Sequence, residues 1–447
     1  MQLRLPFNSA QSHRSTSTEA NAIANKLATE DRAFHDWYRF VLSYPPHLVD
    51  SYLQDFGLTE DNVVLDPFCG TGTTIVQAKL SGIRAIGLEA NPFAHFASSV
   101  KIDWEVDLEL LSSQARRISE RVLATLESQG IDDRHTFDGQ VDPAVLRQLA
   151  PEAEKLLITG SISPIPLHKV LVLLDCINEH RAEPYHRHAL LALANVLVFS
   201  ISNLHFGPEV GVGKPKADAP VVSPWMTEIK KIARDLRLVR GKTHPDCEAH
   251  LADARQIENV LSPCSVDAVI TSPPYPNEKD YTRTTRLESV ILGFIKDKAE
   301  LREHKKNLVR SNTRGVYCTD DDDKWVAQHR EIQRIVAAIE KRRVELGKTS
   351  GFERMYGRVT QLYFGGMARH LSQLQTVLRP GARLAYVVGD QASYLRVMIR
   401  TGQLLADIAQ NLGYEHVRTD LFRTRFATAT KEQLREEVVI LRWTGRK

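Results

Sequence analysis

The sequence is poor in cysteine, in net charge and in long apolar runs. Its 5 cysteines (Cys69, Cys176, Cys247, Cys264, Cys318) are odd in number, and no two stand at CxxC spacing. That argues against a disulfide scaffold and against a cysteine-ligated zinc site, and points to a reducing cytoplasm. Lysine and arginine number 58 against 55 aspartates and glutamates, a formal charge of +3. A histone-like polycation is ruled out, but a local basic groove is not. The most apolar stretch, residues 189–199 (ALLALANVLVF), falls well short of the ~20 residues that span a bilayer and reads as a buried helix. The segment MQLRLPFNSAQSHRSTSTEANAIANK lacks the apolar core of a signal peptide. A soluble, cytoplasmic protein without a membrane partner is expected.

What is present suits an ordinary globular chain. With 43% hydrophobic and 25% charged residues over 447 positions, the composition supports about two to three structural units. Residues 1–30, rich in Ser, Thr, Asn, Ala and Gln, predict a mobile arm. Residues 34–53 carry helical spacing broken at Tyr44-Pro45-Pro46. Val63-Val64-Leu65 then reads as a short buried strand, 66–72 as a glycine loop, 73–81 as a helix and 84–88 as a second strand, which together make a βαβ unit. Further strands are expected at 266–270 (VDAVI), 383–388 and 437–443, with a helix at 404–412. Two charged helical stretches interrupt this pattern. Residues 105–204 hold 9 Lys/Arg against 14 Asp/Glu, a net −5, and residues 279–358 hold 19 against 13, a net +6. The predicted organisation is one α/β sheet domain (31–104, 246–278 and 359–447) with an acidic helical insertion at 105–245 and a basic one at 279–358. The run Asp320-Asp321-Asp322-Asp323 reads as a solvated loop and not as a metal site.

The glycine loop Asp66-Pro67-Phe68-Cys69-Gly70-Thr71-Gly72-Thr73-Thr74 needs a mechanism. Gly70 and Gly72 let the backbone approach a ligand where a Cβ would clash. The helix start that follows offers unpaired N–H groups to an anion, and Glu89, at the end of the second strand, is placed for a ribose diol. A phosphate-binding P-loop fails because no lysine follows the second glycine. A nicotinamide site is weak because Ile75 stands where the third glycine belongs. S-adenosylmethionine fits: its carboxylate needs a helix start and its ribose an acid.

The second site is Thr271-Ser272-Pro273-Pro274-Tyr275, directly after VDAVI. Ligands of open α/β sheets sit beyond the carboxyl ends of the strands, which places this segment on the same rim as Gly70, Gly72 and Glu89. Two prolines fix the backbone and present carbonyl acceptors, and Tyr275 adds a flat stacking face. Methyl transfer to an exocyclic base amine asks for these features. The amine's lone pair is delocalised into the ring, and acceptors for its hydrogens (the Ser272 hydroxyl and the Pro273 carbonyl) help draw it out of conjugation. A tyrosine ring holds the extruded base, positioning supplies the rest, and no metal is needed. Cys264 precedes its strand instead of following it, which denies it the place of a nucleophile and leaves it a structural role.

With DPFCGTGTT and TSPPY together, the chain resembles the amino-methylating DNA methyltransferases of prokaryotes, which act on cytosine N4 or adenine N6. The resemblance covers the sheet domain and implies a Rossmann-like S-adenosylmethionine-dependent fold, S-adenosylhomocysteine as product, and duplex DNA as substrate. It also implies a cognate restriction endonuclease as a partner, a monomer or homodimer, and a nucleoid-associated location. It implies that Asp66, Phe68, Gly70 and Gly72 line the cofactor pocket, with Thr73 or Thr74 near the carboxylate, Glu89 on the ribose and Asp253 on the adenine amine. HDWYRFVLSYPPHLV resembles the stretch that closes the pocket. Ser272, Pro273, Pro274 and Tyr275 take the catalytic place, and the serine favours cytosine N4 over adenine N6.

For DNA contact the basic segment is the leading candidate, through Arg283, Arg286, Lys305, Lys306, Lys341, Arg342 and Arg343, which can neutralise phosphates. The exit of the acidic segment, 203–216, can also reach DNA or cover the site. Two other readings stay open: the same chemistry on adenine or an RNA base, and a catalytically idle cofactor-binding subunit that recognises DNA.

Overall fold

The computed structural model describes residues 27–40, 43–137, 139, 141–207, 209–427 and 432–445. Most of the N-terminal arm expected at 1–30 therefore lies outside the described residues. The strands are β1 (Val63–Asp66), β2 (Arg84–Glu89), β3 (Leu204–Phe206), β4 (Val210–Val212), β5 (Cys247–Leu251), β6 (Val266–Thr271), β7 (Leu378–Gly389), β8 (Tyr414–Ala427) and β9 (Glu432–Trp443). Seven of them form one sheet in the order β5-β2-β1-β6-β7-β9-β8, and β3 and β4 make a separate antiparallel hairpin. Within the large sheet β5, β2, β1, β6 and β7 run parallel, while β9 lies antiparallel between β7 and β8. This is a Rossmann-like α/β sheet.

Its inner strands β1 and β6 are buried at almost every position because both faces are covered. Val64, Ala268, Ile270, Ala385 and Val387 point into one core, and Leu65, Val269, Leu384, Tyr386 and Val388 into the other. Helices Pro46–Asp55, Thr73–Leu80 and Pro92–Lys101 cover the first face, and the helices of the acidic segment pack over them. Helices Leu108–Ser128, Pro164–Asn178, His186–Val196 and Val222–Val239 share one continuous apolar cluster with the sheet and with Trp37, Trp104 and Trp225. The Asp107 side chain starts the first of these helices by accepting from the Glu109 and Leu110 N–H groups. Polar ties lock the layer: Asp235 accepts from the Trp37 indole at 2.9 Å, and fully buried Lys169 lies between Asp133 at 3.2 Å and Asp218 at 2.8 Å. The apolar run at 189–199 is helical as expected, ending in a π-turn at Leu197–Ile201.

Helices Arg330–Glu345, Gly351–Leu374 and Thr401–Asn411 cover the other face. Three expectations change here. Residues 34–53 are not one broken helix: they hold a short 3-10 turn, His35–Trp37, and the separate helix Pro46–Asp55, with proline at its first position. The boundary placed between 358 and 359 falls inside the helix Gly351–Leu374, started by a Ser350/Glu353 capping box. The run 320–323 is not a solvated loop. Asp320 pairs with Arg310 at 2.8 Å, Asp322 with Arg255 at 2.6 Å and Arg369 at 3.3 Å, and Asp323 with Arg358. Its backbone sits so close to Gly365 that a Cβ there would collide with the Asp322 carbonyl oxygen.

Among the described residues no helix is long and apolar enough to cross a membrane, and no group of three or more His, Cys, Asp or Glu is arranged to hold a metal.

Candidate active site

From β1 the strand order runs outward through β2 to β5 and then jumps back to β6 on β1's other side. The crevice at such a switch point, beyond the carboxyl ends of the strands, is where open α/β sheets bind ligands. Register makes it specific here: Leu65 pairs with Val269, so the loops leaving β1 and β6 emerge side by side. A cleft of about 240 Å³ opens between them, lined by Phe68, Gly70, Thr73, Glu89, Asp253, Ser272, Pro273, Pro274 and Tyr275 among others.

Asp66, Gly72 and Thr74 do not line the cleft. Asp66 is fully buried and accepts from the Thr271 hydroxyl at 2.6 Å, the Tyr44 hydroxyl at 3.0 Å and the Phe68 N–H at 3.1 Å. It ties the glycine loop to the last residue of β6, although burial pushes its pKa up. The Thr74 hydroxyl donates to the Ile270 carbonyl and is bonded to Tyr44. Gly72 (φ 86°) precedes the helix Thr73–Leu80, where a Cβ would lie 3.0 Å from that of Ser98. Gly70 differs: at φ 52° its Cβ would meet no atom within 4 Å, so glycine leaves open cleft there. Lys101, buried, donates to the Thr71 carbonyl at 2.8 Å and the Tyr38 carbonyl at 3.2 Å, and burial lowers its pKa to about 7.

Glu89 accepts the Gly70 N–H on one carboxylate oxygen at 2.8 Å and the Asn91 N–H on the other at 2.7 Å. Each oxygen keeps a lone pair, and burial raises the carboxyl pKa to about 7. Asp253 is gripped by its neighbour Arg255, whose guanidinium reaches both oxygens at 2.7–3.1 Å. Phe68 rests against the edge of His370, which is held by the Ala254 carbonyl and the Tyr386 hydroxyl, with its pKa lowered by burial to about 4.

On the β6 side the Ser272 hydroxyl donates to the Val387 carbonyl at 3.2 Å, so its oxygen is left as an acceptor. The Tyr275 ring lies against Gly389, where a Cβ would stand 3.1 Å from it. The Tyr275 backbone N–H donates to the Tyr281 hydroxyl, and its own hydroxyl reaches Glu436 at 3.4 Å.

The basic segment folds back over the opening. Lys279, Lys305, Asn307, Arg310 and Asn312 line the cleft, Lys305 in an ion pair with Asp280 at 2.7 Å. Arg283, Arg286, Lys306, Lys341, Arg342 and Arg343 do not line it. Arg286 is turned onto the Thr282 backbone and hydroxyl, Lys306 pairs with Glu303, and Arg342 and Arg343 pair with Glu345 and Glu340 of their own helix. Sequence reasoning missed Asn307, Arg310, Asn312, Arg423 and Glu436 as lining residues. No local motif marks them, because long-range folding alone brings them to the rim. Cys264 is exposed, before β6.

Residues 10–98 match the model of an N6/N4 methyltransferase family described as DNA methylase. The chain is 25% identical to the Type II methyltransferase M.BsoBI of Geobacillus stearothermophilus, over 96% of this chain and 87% of that protein. It is 22% identical to the Type II methyltransferase M.AvaI of Anabaena variabilis, over 88% and 81% respectively. Among solved structures it aligns with TrmN from Thermus thermophilus at a TM-score of 0.30 and 11% identity, over 92% of this chain and 52% of that one.

Proposed function

We propose that this chain, an amino-methylating DNA methyltransferase by family, transfers a methyl group to the exocyclic N4 amine of a cytosine extruded from duplex DNA. One observation carries the reading: the loops after β1 and β6, adjacent at the switch point, line a single cleft. S-adenosylmethionine fits the β1 side, where Gly70 leaves open space and the Glu89 oxygens each keep a lone pair. When bound it supplies a methyl group on a sulfonium and leaves as S-adenosylhomocysteine. Glu89 would hold the ribose hydroxyls, and Phe68, Thr73 and Asp253 would surround the rest.

The base-side residues have their own work. Ser272, its hydrogen committed to Val387, offers an oxygen to the amine, and the Pro273 carbonyl offers a second. Tyr275, backed by Gly389, gives the base a stacking face. Drawing the lone pair out of conjugation and fixing its line of approach are the contributions required of the protein. Ser272 supports cytosine N4 in preference to adenine N6. The basic segment 279–358 is assigned to DNA contact and the three sheet pieces to catalysis. A cognate endonuclease and a cytoplasmic location follow from the Type II reading.

Mass spectrometry of nucleosides from duplex DNA incubated with the protein and isotopically labelled cofactor tests this. Labelled N4-methylcytosine is expected. N6-methyladenine overturns the base assignment, and no methylated base on DNA or RNA, with cofactor bound, favours the idle subunit.

A further inference from the structure

β8 carries one residue too many opposite β9. Leu421 pairs with Glu437 and Arg423 with Glu436, so Phe422 bulges out of the ladder. Bulges re-aim the side chains beside them. Here the bulge brings Arg423, in place of Phe422, opposite Glu436, which in turn pairs with Gly389, the last residue of β7. Gly389, Glu436 and Arg423 thus form one row across three strands at the rim of the sheet. Arg423 stands two strand spacings, roughly 10 Å, from Gly389.

The row meets the cleft at Tyr275. The Tyr275 ring lies against Gly389 and its hydroxyl donates to one Glu436 oxygen at 3.4 Å, while the Arg423 Nε–H takes the other. A guanidinium that served only to neutralise Glu436 would grip both oxygens with two N–H groups, as Arg255 grips Asp253. Arg423 uses Nε alone, and its Nη1 and Nη2 donate to nothing among the described residues. Its side chain is 18% exposed and lines the cleft. The outer edge of the guanidinium therefore presents paired N–H donors and a fixed positive charge to the cleft, with Glu436 holding it in place.

We propose that Arg423 binds a backbone phosphate of the nucleotide whose base lies on Tyr275. The inference rests on the DNA-methyltransferase reading and adds to it a phosphate site in the sheet domain, outside the basic segment. A base drawn into the cleft from a duplex leaves its sugar and phosphates at the mouth. A phosphodiester there offers two anionic oxygens that suit an arginine fork. Because Glu436 touches both Arg423 and the Tyr275 hydroxyl, one carboxylate fixes the phosphate grip and the stacking face together.

The test uses the full chain with S-adenosylhomocysteine and duplexes of the sequence mapped from the methylated product. Single phosphates flanking the target base are replaced by uncharged methylphosphonate. The wild type should lose about fivefold or more in DNA affinity at one of these positions. Arg423→Ala should bind the unmodified duplex more weakly by a similar factor and lose its sensitivity at that position alone. It should also flatten the salt dependence by about one unit of slope, with cofactor affinity unchanged. Arg423→Lys, which keeps the charge, should keep most of the slope, and the methylphosphonate scan of the wild type needs no variant to fold. A wild type indifferent at every flanking phosphate overturns the site, as does a lysine variant with a slope as flat as that of the alanine variant. So does an Arg423→Ala variant whose only loss is in kcat at saturating DNA, since Arg423 would then act through Glu436 and Tyr275 alone. A wild type that methylates no DNA removes the underlying reading, whereas an active wild type with an indifferent Arg423→Ala removes only this inference.

Discussion

Glu89 shows how much one half-buried carboxyl in the cleft wall decides. Burial raises its pKa to about 7 against backbone N–H bonds, those of Asn91 and Gly70 foremost, that pull it down. In the proposed function Glu89 holds the ribose diol, which donates hydrogen bonds, so the ionised form is the one that should bind. Cofactor binding near pH 7 should therefore release about half a proton, and affinity should fall as pH drops below that value. Calorimetry in buffers of different ionisation enthalpy reads this directly, and Glu89→Ala should abolish it and weaken binding by roughly 1–3 kcal/mol. For stability of the free protein the sign reverses. A raised carboxyl pKa contributes stability that is full below its ordinary value of 4.5 and is lost as pH rises through about 7. In the proposed function Tyr275 acts on the other substrate. Tyr275→Ala should keep cofactor affinity but lose at least roughly tenfold in rate at limiting DNA, since base stacking is worth about 1–3 kcal/mol. A parallel loss of cofactor affinity would deny it that role.

At the scale of elements, the structure turns three of four consecutive aspartates, Asp320, Asp322 and Asp323, into a fastener. Asp322 reaches Arg255 and Arg369, and Arg255 also holds Asp253 at the cleft and donates to the Lys306 carbonyl. The turn Asp322–Val326 thereby joins the basic segment to the helix Gly351–Leu374 and to the rim. With Asp322 only 5% and Arg255 7% exposed, Asp322→Ala would leave a buried guanidinium undercompensated. The expected cost is roughly 3–5 kcal/mol in urea denaturation, and a cost below about 1 kcal/mol would mean that Asp253 alone suffices. The sequence could not announce this, because an aspartate run on a page carries no sign of its arginines. Asp322 and Arg255 are 67 residues apart.

Across the whole molecule a net charge of +3 conceals a division of labour. The helices of the first insertion are a structural layer: their apolar faces pack over the helices that cover one side of the sheet, and buried ion pairs such as Lys169 with Asp133 and Asp218 close it. In the proposed function it is the basic segment that meets the polyanion. Replacing Lys341, Arg342 and Arg343 by alanine should flatten the dependence of DNA binding on salt by up to about one unit of slope for each phosphate no longer neutralised. Their same-helix glutamate partners do not preclude this, since exposed pairs are worth little and phosphate can displace them. An unchanged slope in the folded variant confines the DNA to the cleft side of the segment.

The sequence by itself determined the local chemistry of the two loops and the strands that carry them. A buried parallel strand must be apolar throughout, a tight βα turn needs its glycines, and a proline pair is rigid wherever it lies. β1, β2 and β6 and the segments DPFCGTG and SPPY could be recognised for those reasons. Tertiary structure alone decided what stands opposite them. It moved Asp66 and Thr74 from the rim into the ties beneath it, merged the acidic segment into the sheet's core, and brought Asn312, Arg310 and Glu436 to the cleft. Those placements depend on hydrogen bonds and ion pairs between residues tens to hundreds of positions apart. Periodicity and spacing record only what neighbours along the chain share.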